Sequence, residues 1–273
     1  MKRRVLPGFG LTMGITTTLV SLLVLIPLAM LLTRVSGMGW DEFVSTAMSE
    51  RARAAYWLSI WTALAAALMN VFCGFLLAWT LVRYDFVGRR LLDAIIDLPF
   101  ALPTAVAGIA LTALYSESGA FGSIAALLGW EVAYTPVGIV LAVGFVGLPF
   151  VVRTLQPVIE GLEPEVEEAA ASLGAGRTTA FLRIVLPGLF PAILTGFALA
   201  FARGVGEYGS VIFIAGNMPM RTEIAPLLIV TRLEEFDYNG AAAIAIVMLT
   251  LSFVFLGVIN VLQHWASRSQ GAS

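Results

Sequence analysis

Runs of about twenty apolar residues recur along this chain, each long enough to cross a ~30 Å hydrocarbon layer at 1.5 Å per helical residue. Inside a bilayer no water satisfies backbone N–H and C=O groups, so runs of this kind must be helical. Composition points the same way. Hydrophobic residues are 59% of the chain and charged residues only 12%, half of the ~25% usual in soluble domains. Mean hydropathy is +0.91. The sequence is that of an all-α, polytopic membrane protein with about six transmembrane helices. They are expected near 14–34, 57–82, 93–115, 136–156, 189–210 and 241–262.

Basic residues set the expected orientation. With the N-terminus in the cytoplasm, Lys2, Arg3, Arg4, Arg83, Arg89, Arg90, Arg177, Arg183 and Arg268 lie inside. Arg34, Arg51, Arg53, Arg221 and Arg232 then lie outside, nine against five. The reading is a multi-pass membrane protein, in contact with its lipids, with both termini cytoplasmic. Arg153, near the inner end of the fourth span, is expected to snorkel to the interface. The first span follows Met1-Lys2-Arg3-Arg4, as a signal peptide does. Its apolar run is longer than a signal core and no small-residue cleavage site ends it, so it reads as an uncleaved span.

Several kinds of chemistry have no residues to carry them. Lys2 is the chain's one lysine, and a nucleotide-binding P-loop needs a lysine after its glycines to reach the phosphates. The single cysteine, Cys73, has no disulfide partner and reads as packing inside the second span. His264 stands beside Trp265 and reads as an interfacial anchor. Neither a metal-binding cluster, nor a nucleophile with a base, nor a nucleic-acid-binding patch is seen. The chain is expected not to be an enzyme by itself and to bind no cofactor.

Between the fourth and fifth spans lies a polar interruption, EEAAASLGAGRTTAFLRIVLP, residues 167–187. Pro164 suits the first turn of a helix, and Glu165, Glu167 and Glu168 sit near its positive end. Val166, Ala169, Ala170 and Leu173 recur at helical spacing and predict a small apolar face. Gly174 stands where a left-handed cap is wanted, with Gly176 completing the turn. A second short helix is expected over Thr178–Val185, with Pro187 beginning the next span.

The pattern E-A-A-x3-G-x9-I-x-L-P, carried by Glu168, Ala169, Ala170, Gly174, Ile184, Leu186 and Pro187, resembles the EAA loop of the membrane subunits of ATP-binding-cassette (ABC) importers. The resemblance implies a type I ABC importer permease fold. It also implies that residues 157–187 form a coupling loop docking on a separate ATPase, with contacts from Glu168, Ala169, Ala170, Ser172, Leu173, Gly174 and Arg177. ATP and Mg would be used by that partner, present in two copies. Three further stretches resemble the oxyanion branch of these permeases. They are Ala202-Arg203 with Gly206-Glu207-Tyr208-Gly209, residues 97–111 (DLPFALPTAVAGIAL), and Thr222 to Ile229 with Glu235 to Tyr238. Together they are most similar to the T (or U) subunits of sulfate/thiosulfate permeases, and the likeness runs from about residue 14 to 265. It implies a sister permease subunit and a periplasmic sulfate- or thiosulfate-binding protein. The corresponding division is 1–56 (tail, first span and external loop), 57–265 (permease core) and 266–273 (cytoplasmic tail).

Other readings stay open. A molybdate or tungstate permease carries a similar G-E-[FY]-G element. An ion-coupled secondary carrier would place acidic residues deep in a span, Asp93 and Asp97 being the nearest candidates, and a scaffold would use the loop only as an assembly contact. Arg203 and Glu207, four apart on one helix face, are candidates for the anion pathway or its outer gate, with Tyr208 and Ser210. The same pair could equally be a structural ion pair. Pro99, Pro103 and Pro149 are expected to kink the third and fourth spans, while Gly108, Gly144 and Gly147 allow close helix contact. Segments 35–56, 116–135 and 211–240 are the expected external docking surface.

Overall fold

The computed structural model of the chain describes residues 8–270, the side chains of Pro164 and residues 264–270 excepted. Lys2, Arg3 and Arg4, together with the side chains of His264, Trp265 and Arg268, lie outside the described residues. Among those described, five helices are long and apolar enough to cross a membrane.

The first is α1, Phe9–Ser36, interrupted by a π turn at Ser21–Leu25. Pro27 accounts for the turn: it lacks an N–H and its ring crowds the carbonyl four residues back, that of Leu23. A short helix, α2 (Trp40–Ala47), precedes α3 (Glu50–Arg83). Ser49 caps α3, its hydroxyl accepting the Ala52 N–H at 3.3 Å. This cap starts the helix before the apolar run at 57 does, so α3 crosses residue 56.

The third span departs from expectation. In place of one helix over 93–115 there are three pieces: α4 (Arg89–Ile96), α5 (Leu98–Ala101) and α6 (Thr104–Tyr115). The prolines break the helix rather than kink it. Leu102 is extended, at φ −85° and ψ 135°, because the residue before a proline is pushed out of the helical region.

Helix α7 (Ala120–Leu127) follows, then α8 (Pro136–Glu160), which opens on Pro136 and runs through Pro149 and Pro157. Next come α9 (Pro164–Ser172) and α10 (Arg177–Val205). The second short helix expected over Thr178–Val185 is not separate; it is the beginning of α10. A π turn at Phe181–Val185 marks the junction, again two residues before a proline, here Pro187. The chain closes with α11 (Val211–Ala215), α12 (Ala225–Glu234) and α13 (Tyr238–Gln270).

The core is the triad α3, α8 and α10, which make the densest mutual contacts. Val151 of α8 lies between Gly74 of α3 and Gly196 of α10. A Cβ on Gly74 would stand 2.9 Å from Val151 Cγ1, and one on Gly196 3.1 Å from Val151 Cα. Small residues let helices approach where lipid supplies no hydrophobic drive between them. Around the triad, α13 packs on α10 and α12. Alternating helix directions put the turns 84–88 and 161–176 at one end of the bundle, the α9 end. Segments 37–49, 116–135 and 206–237 gather at the other, the far end.

Candidate functional site: the 161–176 turn and the ion pairs at both ends

The turn is built by local rules. Glu165 and Glu167 occupy the first turn of α9, where the helix dipole favours carboxylates. Its stop is a Schellman motif: the Gly174 N–H donates to the Ala171 carbonyl at 2.9 Å and the Ala175 N–H to that of Ala170 at 3.0 Å. This requires a left-handed residue, and Gly174 has φ +83°. The Ser172 hydroxyl donates to the Glu168 carbonyl at 2.9 Å.

Of the four residues expected to share an apolar face, only Ala170 is buried. Val166 and Ala169 are exposed, and Leu173 is 89% exposed. Leu173 is the C-cap, where the chain leaves the helix, so its side chain escapes the packed face. Glu168, Ala169, Ser172, Leu173, Gly174 and Arg177 thus form one exposed surface around the turn. Ala170 lies beneath it.

Behind that surface α9 is pinned to the bundle. Glu167 forms an ion pair with Arg83, the last residue of α3. The Arg83 guanidinium also lies 5.0 Å over the Trp79 ring, and Trp79 meets Phe181 of α10 edge-on at 5.5 Å. A cavity of about 380 Å³ remains between them, lined by Trp79, Tyr84, Glu167, Ala171, Arg177 and Phe181.

Arg153, expected to reach the interface, grips the broken third span near the α9 end. Its Nε and Nη2 donate to the Asp97 carboxylate at 2.8 and 2.5 Å, and Nη1 to Asp93 Oδ1 at 2.6 Å. Nη2 also reaches the Asp93 backbone carbonyl at 3.0 Å, and Nη1 the Gln156 Oε1 at 2.6 Å. A planar guanidinium can satisfy several fixed acceptors at once, which a lysine cannot.

At the far end α10 stops at Val205, so Glu207, Tyr208 and Ser210 lie in the following turn rather than on the helix. Arg203 and Glu207 pair as expected, at 2.6 Å, with the Glu207 side chain only 1% exposed. Glu207 Oε1 also accepts the Ser210 N–H at 3.0 Å and the Ser210 hydroxyl at 2.9 Å. The half-buried Tyr208 completes the turn. Gly108 of α6 lies directly against the Ser210 backbone, where a Cβ would clash with the carbonyl oxygen. Nearby, Glu223 accepts both Arg51 Nε and Nη2 at 2.7 Å, and the Ser59 hydroxyl accepts the Ala225 N–H at 2.7 Å. Sequence reading missed the pairs Arg83–Glu167, Arg153–Asp93, Arg153–Asp97 and Arg51–Glu223. Their members are 84, 60, 56 and 172 residues apart, beyond any local spacing rule.

Residues 70–268 match the family model described as the binding-protein-dependent transport system inner membrane component. The chain belongs to that family. As such it is a multi-pass inner membrane protein. Its relatives include the "Sulfate transport system permease protein CysT" of Salmonella typhimurium, 49% identical over 261 residues, covering 96% of this chain and 94% of that one. A protein of Nephroselmis olivacea described as a "Probable sulfate transport system permease protein cysT" is 50% identical over 263 residues, covering 96% and 92%. Among solved structures, a bacterial ABC transporter involved in the import of the acidic polysaccharide alginate superposes with a TM-score of 0.75 at 18% identity, covering 91% of this chain and 92% of that chain. That likeness establishes the ABC importer permease fold for this member of the transport family.

Proposed function

We propose that this chain is the permease subunit of an ATP-driven importer that carries sulfate or thiosulfate into the cytoplasm. The observation that carries the reading is near-50% identity along nearly the whole chain to sulfate permeases. In this reading residues 57–265 are the permease core, and the 157–187 segment is the coupling loop. Glu168, Ala169, Ser172, Leu173, Gly174 and Arg177 present the surface on which the ATPase docks, with Ala170 as its buried floor. An exposed leucine beside small residues suits a groove on a partner, since it offers apolar area without bulk. Two ATPase copies hydrolyse ATP with Mg, a sister permease completes the pore, and a periplasmic binding protein delivers the anion to the far end. Arg83, Arg89, Arg90, Arg177 and Arg183 lie toward the α9 end, which supports a cytoplasmic placement for it and for both termini.

Arg203, Glu207, Tyr208 and Ser210 shape the far-end turn. The buried Glu207 serves the turn, and Arg203, half-exposed, is the member left to face a passing anion.

The test is ATP hydrolysis by the reconstituted complex with its binding protein, comparing sulfate, thiosulfate and molybdate. Stimulation by sulfate or thiosulfate is the expected outcome; stimulation by molybdate alone moves the substrate and leaves the fold. Glu168→Lys is expected to lower substrate uptake about tenfold or more while ATPase activity of the isolated partner is unchanged. Full uptake by that variant would sink the docking assignment.

A further inference from the structure

We infer that Arg153 is a positioning residue of the transport cycle, locking the foot of the broken third span, α4 and α5, to α8, the helix that runs into α9. This rests on the coupling-loop reading above. Only the linker 161–163 separates the end of α8 at Glu160 from the start of α9 at Pro164. A displacement of α9 therefore acts at once on the last turns of α8, where Arg153 sits.

Arg153 holds the third span at two carboxylates and a backbone carbonyl. That set fixes the orientation of α4 and α5 as well as their distance. A single exposed ion pair would let them slide, but a guanidinium bonded to three groups in one plane does not. Asp97 is the residue that joins α4 to α5, so the grip falls on the elbow itself. Gln156, one turn further along α8, donates to Asp93 at 3.2 Å and accepts from Arg153, which braces the arrangement.

Above the foot, Leu102 and Pro103 carry no helix, and α6 begins afresh at Thr104. Helix α6 then bears on the far-end turn through two close approaches. Gly108 touches the Ser210 backbone, and Gly209 abuts the Thr104 side chain. Ser210 is in turn held by the Glu207 carboxylate that pairs with Arg203. Beside the direct connection along α10, a second line from α9 to the Arg203–Glu207 turn thus runs through α8, Arg153, the foot and α6. Without Arg153 the foot is left with the Gln156–Asp93 hydrogen bond and side-chain packing such as Phe100 on Phe150, and movement of α9 is no longer passed rigidly to α6.

The experiment uses the complete complex in proteoliposomes, in a Cys73→Ser background. One readout is sulfate transported per ATP hydrolysed. A second is the spin-label distance between Trp57→Cys on α3 and Ile109→Cys on α6, with and without nucleotide. A third is cross-linking of Leu173→Cys to the ATPase. In Arg153→Ala, transport per ATP is expected to fall about tenfold, within what one coupling contact controls. The nucleotide-dependent distance change should disappear while the Leu173→Cys cross-link persists. Arg153→Lys, which keeps the charge without the fork and guards against a folding failure of the alanine variant, should fall about threefold.

Retention of normal transport per ATP and of the distance change in Arg153→Ala overturns the inference. So does loss of the Leu173→Cys cross-link in parallel with transport, since Arg153 would then serve assembly. If the cross-link is absent even with Arg153 intact, the coupling-loop reading itself fails, and this inference falls with it.

Discussion

The two ends of the bundle differ in the carboxylates they bury. At the far end Glu207 and Glu223 have side chains 1% exposed, while Glu235 and Asp237, paired with Arg232, are 48% and 38% exposed. At the α9 end Glu167, Asp93 and Asp97 are 39%, 44% and 46% exposed. A sealed carboxylate must keep its partner, because an unpaired buried charge is strongly destabilising. An open one can part and re-form its pair at little expense, since water takes over when it lets go. Backbone geometry follows the same division. Tyr134, Asn217, Met220 and Phe236 all hold positive φ, and all lie in the far-end segments. The far end holds two sealed ion pairs; the pairs at the α9 end are ones that tolerate movement.

The contrast is most severely tested by Arg51→Ala. It strands Glu223, whose side chain has Arg51 as its partner for both oxygens, and is expected to cost about 3–5 kcal/mol. Thermal unfolding of the purified subunit in detergent reads this directly. Arg203→Ala should cost less, because the Ser210 N–H and hydroxyl still reach Glu207. Equal loss in the two would show that the Ser210 contacts contribute nothing.

Gly108→Ala comes next, at about 1–3 kcal/mol, because the new methyl meets the Ser210 carbonyl. An unchanged melting temperature would mean that α6 can back away from the far-end turn.

Asp93→Asn is the smallest, under about 1 kcal/mol, because Asp97 still holds Arg153. A loss of melting temperature larger than that of Gly108→Ala would show that the foot depends on Asp93 alone.

Much of this was legible in the residues. Apolar runs gave the spans, because a bilayer leaves the backbone no alternative to helix. Pro164 and Gly174 bounded α9 through capping rules that act within a few residues. Gly108 was singled out for close contact, and it makes one. Other features were hidden for a physical reason. Pro99 and Pro103 announced a disturbance of the third span, but whether a proline kinks or breaks a helix depends on what the neighbouring helix offers the freed carbonyls. The partners of Arg153 were hidden because Asp93 and Asp97 come to it through tertiary folding. Leu173 looked like part of a packed face by its spacing, and only the position of the cap turns it outward. Glu207 was rightly paired with Arg203. That its other oxygen organises a turn instead of a helix followed from where α10 stops.

The π turn at Phe181–Val185 has a consequence for rotation about the helix axis. A wide turn accommodates one more residue than an α-helical turn, and each residue of an α-helix advances the azimuth by about 100°. The extra residue is thus absorbed within the turn, so Arg177 and the Gly174–Gly176 turn keep nearly the phase that an uninterrupted helix would give them. Deleting a single residue there would restore an α-helical turn with little rotation, whereas a deletion in the membrane-embedded part of α10 would swing one end against the other by about 100°. Phase, as well as length, is a quantity this segment must keep.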